Sequence, residues 1–199
     1  GETHQGIFDL SFLSSIPNMH IMAPKNKWEL SDMLKFALRF PGPVAIRYPR
    51  GEAYDGLQGM RAPIQMGRSE LLYEEKDIVL LAVGSMVATA EAVRKRLKEH
   101  GYACSLVNAR FVKPIDEQIL SALAIEHNLF VTMEENVASG GFGEKVREYL
   151  DGQKAAVRTL SIAIPDEYVE HGNVDILKKE IGIDEDSIYC RILKELEDR

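Results

Sequence analysis

Apolar positions along the chain keep two rhythms. Short, nearly continuous apolar runs occur in "MHIMAP" (19–24), "VAIRY" (44–48), "DIVLLAVGSM" (77–86), "ACSLVNARF" (103–111), "NLFVTMEEN" (128–136) and "AAVRTLSIA" (155–163). Runs of this length, without polar alternation, predict strands buried on both faces, as in parallel sheets. Between them the apolar residues recur every three or four positions. Trp28, Leu30, Met33, Leu34, Ala37 and Leu38 predict a helix, with Asn26 as N-cap and Glu29 three residues on. "VATAEAVRKRLKEHG" predicts an amphipathic helix stopped by Gly101, "KPIDEQILSALAIEH" a helix beginning near Pro114–Asp116, and "GGFGEKVREYL" another. The last 30 or so residues read as polar, amphipathic helices.

This alternation predicts an α/β fold: a partial parallel-sheet βαβ unit followed by a doubly wound, mostly parallel-sheet C-terminal domain. Residues 51–76 change character, with Gly, Pro and charge dominating and "IQMGRSELLY" the one strand-like piece. The predicted division is therefore residues 1–52, a linker at 53–76, and a second unit at 77–199.

Composition narrows the function. With 31 acidic against 24 basic residues and a net charge of −7, no general binding to nucleic acid or anionic membrane is expected. No run of ~18 apolar residues suggests a membrane span, which points to a cytoplasmic protein. At 199 residues the chain can bury a core without disulfides or metal. Cys104 and Cys190 lie far apart at no metal-ligand spacing, and both are expected as small buried apolar groups.

Candidate chemistry is sparse. His4 sits between Thr3 and Gln5 in a glycine-flanked loop, where an imidazole can exchange a proton or hydrogen bond with a substrate oxygen. The bland reading is an unpaired histidine at a frayed end. Arg50 in "RYPRG" follows a strand end, where open parallel sheets bind ligands, and its planar fork suits a phosphate or carboxylate. Its bland reading is a salt bridge to the linker. Arg47, inside the strand, reads as a paired structural charge. "AVGSM" has one glycine and reads as a tight strand-to-helix turn rather than a cofactor loop. In "EENVASGGFG" the three glycines before a helix suit either an anion at the helix N-terminus or close backbone packing. His171 reads as a satisfied loop histidine, and His20, His100 and His127 as surface or helix-end residues. No metal site emerges.

Taken in order, "THQGIFD", "IPNMHIMAP", "GPVAIRYPRG", "NARFVKPID", "VTMEENVASGGFG" and "IPDEYVEHG" closely resemble the 1-deoxy-D-xylulose-5-phosphate synthase family of the transketolase superfamily. The resemblance runs across essentially the whole chain and is weakest in the linker. It implies three domains in the whole protein, of which residues 1–52 match the C-terminal part of the pyrimidine-binding domain and 77–199 the transketolase C-terminal domain. It further implies condensation of pyruvate with glyceraldehyde 3-phosphate, release of CO2, thiamine diphosphate and Mg2+ as cofactors of the full-length enzyme, and a homodimer. By the same resemblance His4 faces the reacting carbonyl and substrate oxygens, and Arg50 holds the phosphate of the aldehyde. Gly1 would directly follow a motif aspartate, so the chain starts inside an active-site loop. The diphosphate–metal motif and the glutamate that contacts the aminopyrimidine are absent. No cofactor is therefore expected on this fragment, which is expected to be inactive alone. Residues 1–12 are expected to be mobile or held by a crystal neighbour, and the exposed sheet edge of the first unit invites disorder or association. Two other readings stay open: a non-catalytic dimerisation or scaffold module, and a natural split subunit with a separate N-terminal partner.

Overall fold

A computed structural model of the protein describes residues 4–197. A 3-10 turn at Gly6–Phe8 leads into α1 (Asp9–Ser14), followed by β1 (His20–Met22), α2 (Lys27–Ala37) and β2 (Val44–Ile46). β1 and β2 pair in parallel, His20 opposite Val44 and Met22 opposite Ile46, with α2 as the crossover. The helix starts as predicted: the Asn26 side chain accepts from the Glu29 N–H at 3.0 Å.

The second unit holds β3 (Glu70–Tyr73), β4 (Asp77–Ala82), α3 (Met86–Glu99), β5 (Cys104–Asn108), β6 (Phe111–Lys113), α4 (Glu117–Leu123), β7 (His127–Val137), α5 (Phe142–Gly152), β8 (Arg158–Ile164), α6 (Val174–Glu180) and α7 (Glu185–Glu197). Five of its strands form one sheet in the order β3-β5-β4-β7-β8, parallel throughout except for β3. Alternate residues of β4 supply opposite faces. Ile78, Leu80 and Ala82 join Val87, Val93, Leu97, Ile188 and Ile192 of α3 and α7. Val79 and Leu81 join Leu120, Val146 and Leu150 of α4 and α5, together with Leu10 of α1. Burial on both faces is why the strand sequences run apolar without alternation. α3 ends at the expected glycine: Gly101 has φ +84°, its N–H bonds Lys98 O and the Tyr102 N–H bonds Leu97 O.

Several elements differ from expectation. Glu70–Tyr73, within the stretch read as a linker, form an edge strand antiparallel to β5. "ACSLVNARF" is not one strand. The chain turns at Arg110, with φ +55°, leaves the large sheet and pairs β6 antiparallel to β1. The first unit is thus a three-stranded sheet, β2-β1-β6, whose third strand comes from the second unit. Residues 4–12 do have partners, Leu10 being wholly buried against the C-terminal unit, while residues 1–3 lie outside the described residues. Cys104 is buried as expected, but Cys190 is exposed because it points off α7 away from α3.

Candidate functional site

A cavity of about 830 Å³ opens along the seam between the two units. Gly6 and Ile7 line it from the start of the chain, Arg47 and Arg50 from the end of β2, and Glu135 and Lys178 from the C-terminal unit. Arg50 is exposed, and among the described residues no carboxylate pairs with its guanidinium. The linker salt bridge is therefore not formed, and a fork able to give two parallel hydrogen bonds faces the cavity. His4 is exposed and lies two residues before Gly6, outside the cavity lining proper. It is not without a partner, so it is not the unpaired histidine of the bland reading.

Arg47 behaves as the paired charge its position suggested. Its guanidinium reaches Glu135 Oε2 at 3.3 Å and donates to the Glu135 carbonyl at 2.9 Å. Ser85, in the turn after β4, donates to the same carboxylate at 2.6 Å, and Lys178 of α6 pairs with its other oxygen. Burial alone would raise the Glu135 pKa, but Lys178, Ser85 and Arg47 together hold it below the ordinary carboxylate value. Gly84, with φ +56°, makes the turn that presents Ser85, and a Cβ there would press on Ala23 at 3.1 Å. The sequence pattern showed the turn and gave no sign of the Ser85–Glu135 bond.

The neighbouring carboxylate points to the opposite face. Glu134 is fully buried and accepts from the N–H groups of Phe142 and Gly143, each at 2.8 Å, at the start of α5. The two readings of the glycines merge here, because the anion at the helix N-terminus is the chain's own side chain. A Cβ on Gly141 would meet Glu134 Oε1 at 2.7 Å, and one on Gly143 would meet Thr132 Oγ1 at 2.6 Å. Burial outweighs the two backbone donors and pushes the Glu134 carboxyl up to about 7.

The next residue, Asn136, reaches the segment behind His4. Its Oδ1 accepts from Leu10 N at 3.1 Å and its amide donates to Ser11 Oγ at 2.7 Å. Gln5 pairs reciprocally with the backbone of Val169, donating to its carbonyl and accepting from its N–H at 3.2 Å. Phe8 meets Tyr168 edge to face, ring centres 5.4 Å apart.

Sequence reasoning missed a second charge cluster on the seam. Lys25, Glu29, Glu70 and Arg110 are all at least nine-tenths buried. Lys25 Nζ lies 3.1 Å from Glu29 and 2.6 Å from Glu70, while Arg110 lies 2.7 Å from Glu29 and 3.0 Å from Glu70. Asn108 donates to both Glu29 oxygens, and Arg110 also donates to the carbonyls of Ala62 and Pro63. The only trace in the sequence is the Lys25/Glu29 spacing of four residues, since the partners at 70 and 110 are remote.

The remaining histidines carry no site. His171 is exposed and, among the described residues, has no hydrogen-bond partner, so it is not the satisfied loop residue expected. His127 is buried rather than at the surface, bonded to Ser105 Oγ at 2.9 Å and to the α4 carbonyl of Leu123 at 2.8 Å. His100 bonds Arg96 O at the end of α3, and His20 bonds Pro43 O. Among the described residues no group of three His, Cys, Asp or Glu side chains could hold a cation. Among the described residues no helix is long and apolar enough to cross a membrane.

The family model described as the transketolase C-terminal domain matches residues 67–188, and that of the transketolase pyrimidine binding domain matches residues 1–55. The chain is 48% identical over 98% of its length to the 1-deoxy-D-xylulose-5-phosphate synthase of Lachnoclostridium phytofermentans, and 41% identical over its whole length to that of Heliobacterium modesticaldum. In each case it spans 31% of the relative's length. A structure titled split gene transketolase, inactive beta4 tetramer superposes with a TM-score of 0.88 at 28% identity, covering 98% of this chain and 62% of that one. Transketolase from Campylobacter jejuni, at 21% identity and a TM-score of 0.71 over 98% of this chain and 29% of its own, shares the fold.

Proposed function

The chain belongs to the transketolase family, and on that premise we propose that the full-length protein carrying it is a thiamine-diphosphate-dependent 1-deoxy-D-xylulose-5-phosphate synthase. It condenses pyruvate with glyceraldehyde 3-phosphate and releases CO2. Residues 1–52 are the end of its pyrimidine-binding domain and 77–199 its C-terminal domain, to which the connecting segment contributes the edge strand β3. The observation that carries this reading is Arg50, an arginine at a parallel-strand end whose guanidinium faces a cavity with no carboxylate partner among the described residues. It holds the phosphate of the aldehyde by two parallel hydrogen bonds. His4 donates a hydrogen bond or a proton to the oxygen of the reacting carbonyl.

Thiamine diphosphate, when bound, supplies the electron sink for this chemistry. Its metal and diphosphate ligands lie outside the described residues, so the chain alone turns over nothing. The whole protein is cytoplasmic and acts as a homodimer. The test is product formation by the full-length protein from pyruvate and glyceraldehyde 3-phosphate with thiamine diphosphate and Mg2+. Arg50→Ala raises KM for the aldehyde, and His4→Ala lowers kcat. A full-length protein that makes no product sinks the reading. CO2 release by the isolated chain above the no-protein rate sinks the proposed inactivity.

A second reading is an assembly module without catalysis. It is favoured by the likeness to a split-gene transketolase whose tetramer is described as inactive. A dimer in light scattering that persists after removal of residues 1–60 supports it.

A further inference from the structure

We infer that Asn136 and Gln5 are positioning residues for His4, so that the C-terminal unit fixes where the imidazole stands. The inference rests on the proposed role of His4. A loop imidazole serves catalysis only if its backbone is held, since a misplacement of about 1 Å can cost ~100-fold in rate. The segment following His4 is pinned at both ends by the second unit.

At one end the Gln5 amide forms a two-way pair with the Val169 backbone, in the loop after β8. At the other, the residue before α1, Phe8, offers no side-chain cap, so the early N–H groups of the helix need a partner from elsewhere. Asn136 supplies it from the end of β7, more than a hundred positions away, by accepting from Leu10 N. Its amide hydrogens are spent on Ser11 Oγ at 2.7 Å and Val137 O at 2.8 Å, and Ser11 Oγ in turn donates to Ser139 O at 2.6 Å. Asn136 is wholly buried, with both ends of its side chain bonded. Such a fully satisfied residue holds one geometry.

The experiment uses the full-length enzyme with pyruvate, glyceraldehyde 3-phosphate, thiamine diphosphate and Mg2+. Gln5→Ala and Ser11→Ala alter half-buried side chains and leave no wholly buried group unpaired beyond the Asn136 amide, so they should fold where Asn136→Ala does not. Each should lower kcat roughly tenfold. KM for the aldehyde should stay within about twofold, because Arg50 lies on another loop. Melting temperature should stay near wild type for Gln5→Ala and fall by several degrees for Ser11→Ala, whose loss leaves an Asn136 amide hydrogen unpaired, and hydrogen exchange of residues 4–14 should quicken in both. His4→Ala should reproduce the fall in kcat without the change in exchange. An active wild type whose Gln5→Ala and Ser11→Ala forms keep kcat overturns the inference alone. A wild type inert on these substrates overturns the functional reading and the inference with it.

Discussion

Two charge clusters sit on the same seam and are built to opposite ends. In the Lys25–Glu29–Glu70–Arg110 cluster two cations meet two carboxylates, every member is at least nine-tenths buried, and Asn108 with the carbonyls of Ala62 and Pro63 takes up further valences. In the Arg47–Glu135–Lys178 cluster two cations share one carboxylate, the group lines a cavity, and Arg50 stands near it without a carboxylate partner among the described residues. The first is closed and neutral. Its members come from α2's approach, from β3 and from the turn at Arg110, so it ties the two units together. The second keeps positive charge facing space that a ligand can fill. Charge alone does not mark a functional site; charge left without a partner at a cavity wall does.

The comparison breaks most visibly if the closed cluster proves dispensable. Glu29→Ala leaves Lys25 and Arg110 sharing Glu70 alone, with one buried positive charge uncompensated, and a loss of about 3–5 kcal/mol is expected in chemical denaturation. A neutral result would mean that water enters the seam. Replacing Lys25, Glu29, Glu70 and Arg110 together by apolar residues should cost far less, since no charge is then left alone.

Next comes the pair of adjacent glutamates. Glu134 has a folded pKa of about 7 against an ordinary 4.5, so the folded state binds the extra proton between those values. Its contribution is present below pH 4.5 and lost as pH rises through 7, on the order of 3 kcal/mol. Glu135 is shifted the other way, and its contribution is present above the ordinary carboxylate pKa and lost as pH falls. Stability of Glu134→Gln measured across this range should lack the decline, while Glu135→Gln should keep it.

Glu135→Gln at pH 8 should cost only about 1–2 kcal/mol, because the amide oxygen still accepts from Ser85 and Arg47. The smallest effect belongs to Arg50→Ala, within about 0.5 kcal/mol of wild type by thermal melting, since it is exposed and outside the ion pairs described. A large loss there would place Arg50 in the closed cluster's class and undo its assignment as a ligand group.

Much of the fold was legible in residue pattern. Continuous apolar strands, the Asn26 cap and the Gly101 stop are local signals, and each appears where the chain sequence put it. β6 was not legible, because the Asn108–Arg110 turn is too short to break the strand-like run "ACSLVNARF", and the switch of sheets it makes shows only in the pairing with β1. Of the candidate site, Arg50 at a strand end and Arg47 as a paired charge could be read from spacing. Glu135, Lys178 and Asn136 could not, since the partners that define them lie 43 to 126 positions away and are brought near by strand order rather than by sequence pattern.

By itself the sequence determined most of the strands and helices, though not β3 or β6, because hydrophobic period, caps and glycines act within a few residues. It also carried the family likeness. Only the tertiary structure decided which charges neutralise one another, which carboxylate caps α5 and which closes on Arg47, and which unit holds the loop behind His4. Those outcomes depend on burial and on distances of about 3 Å between remote residues, and the energy of a charge or a hydrogen bond is set there.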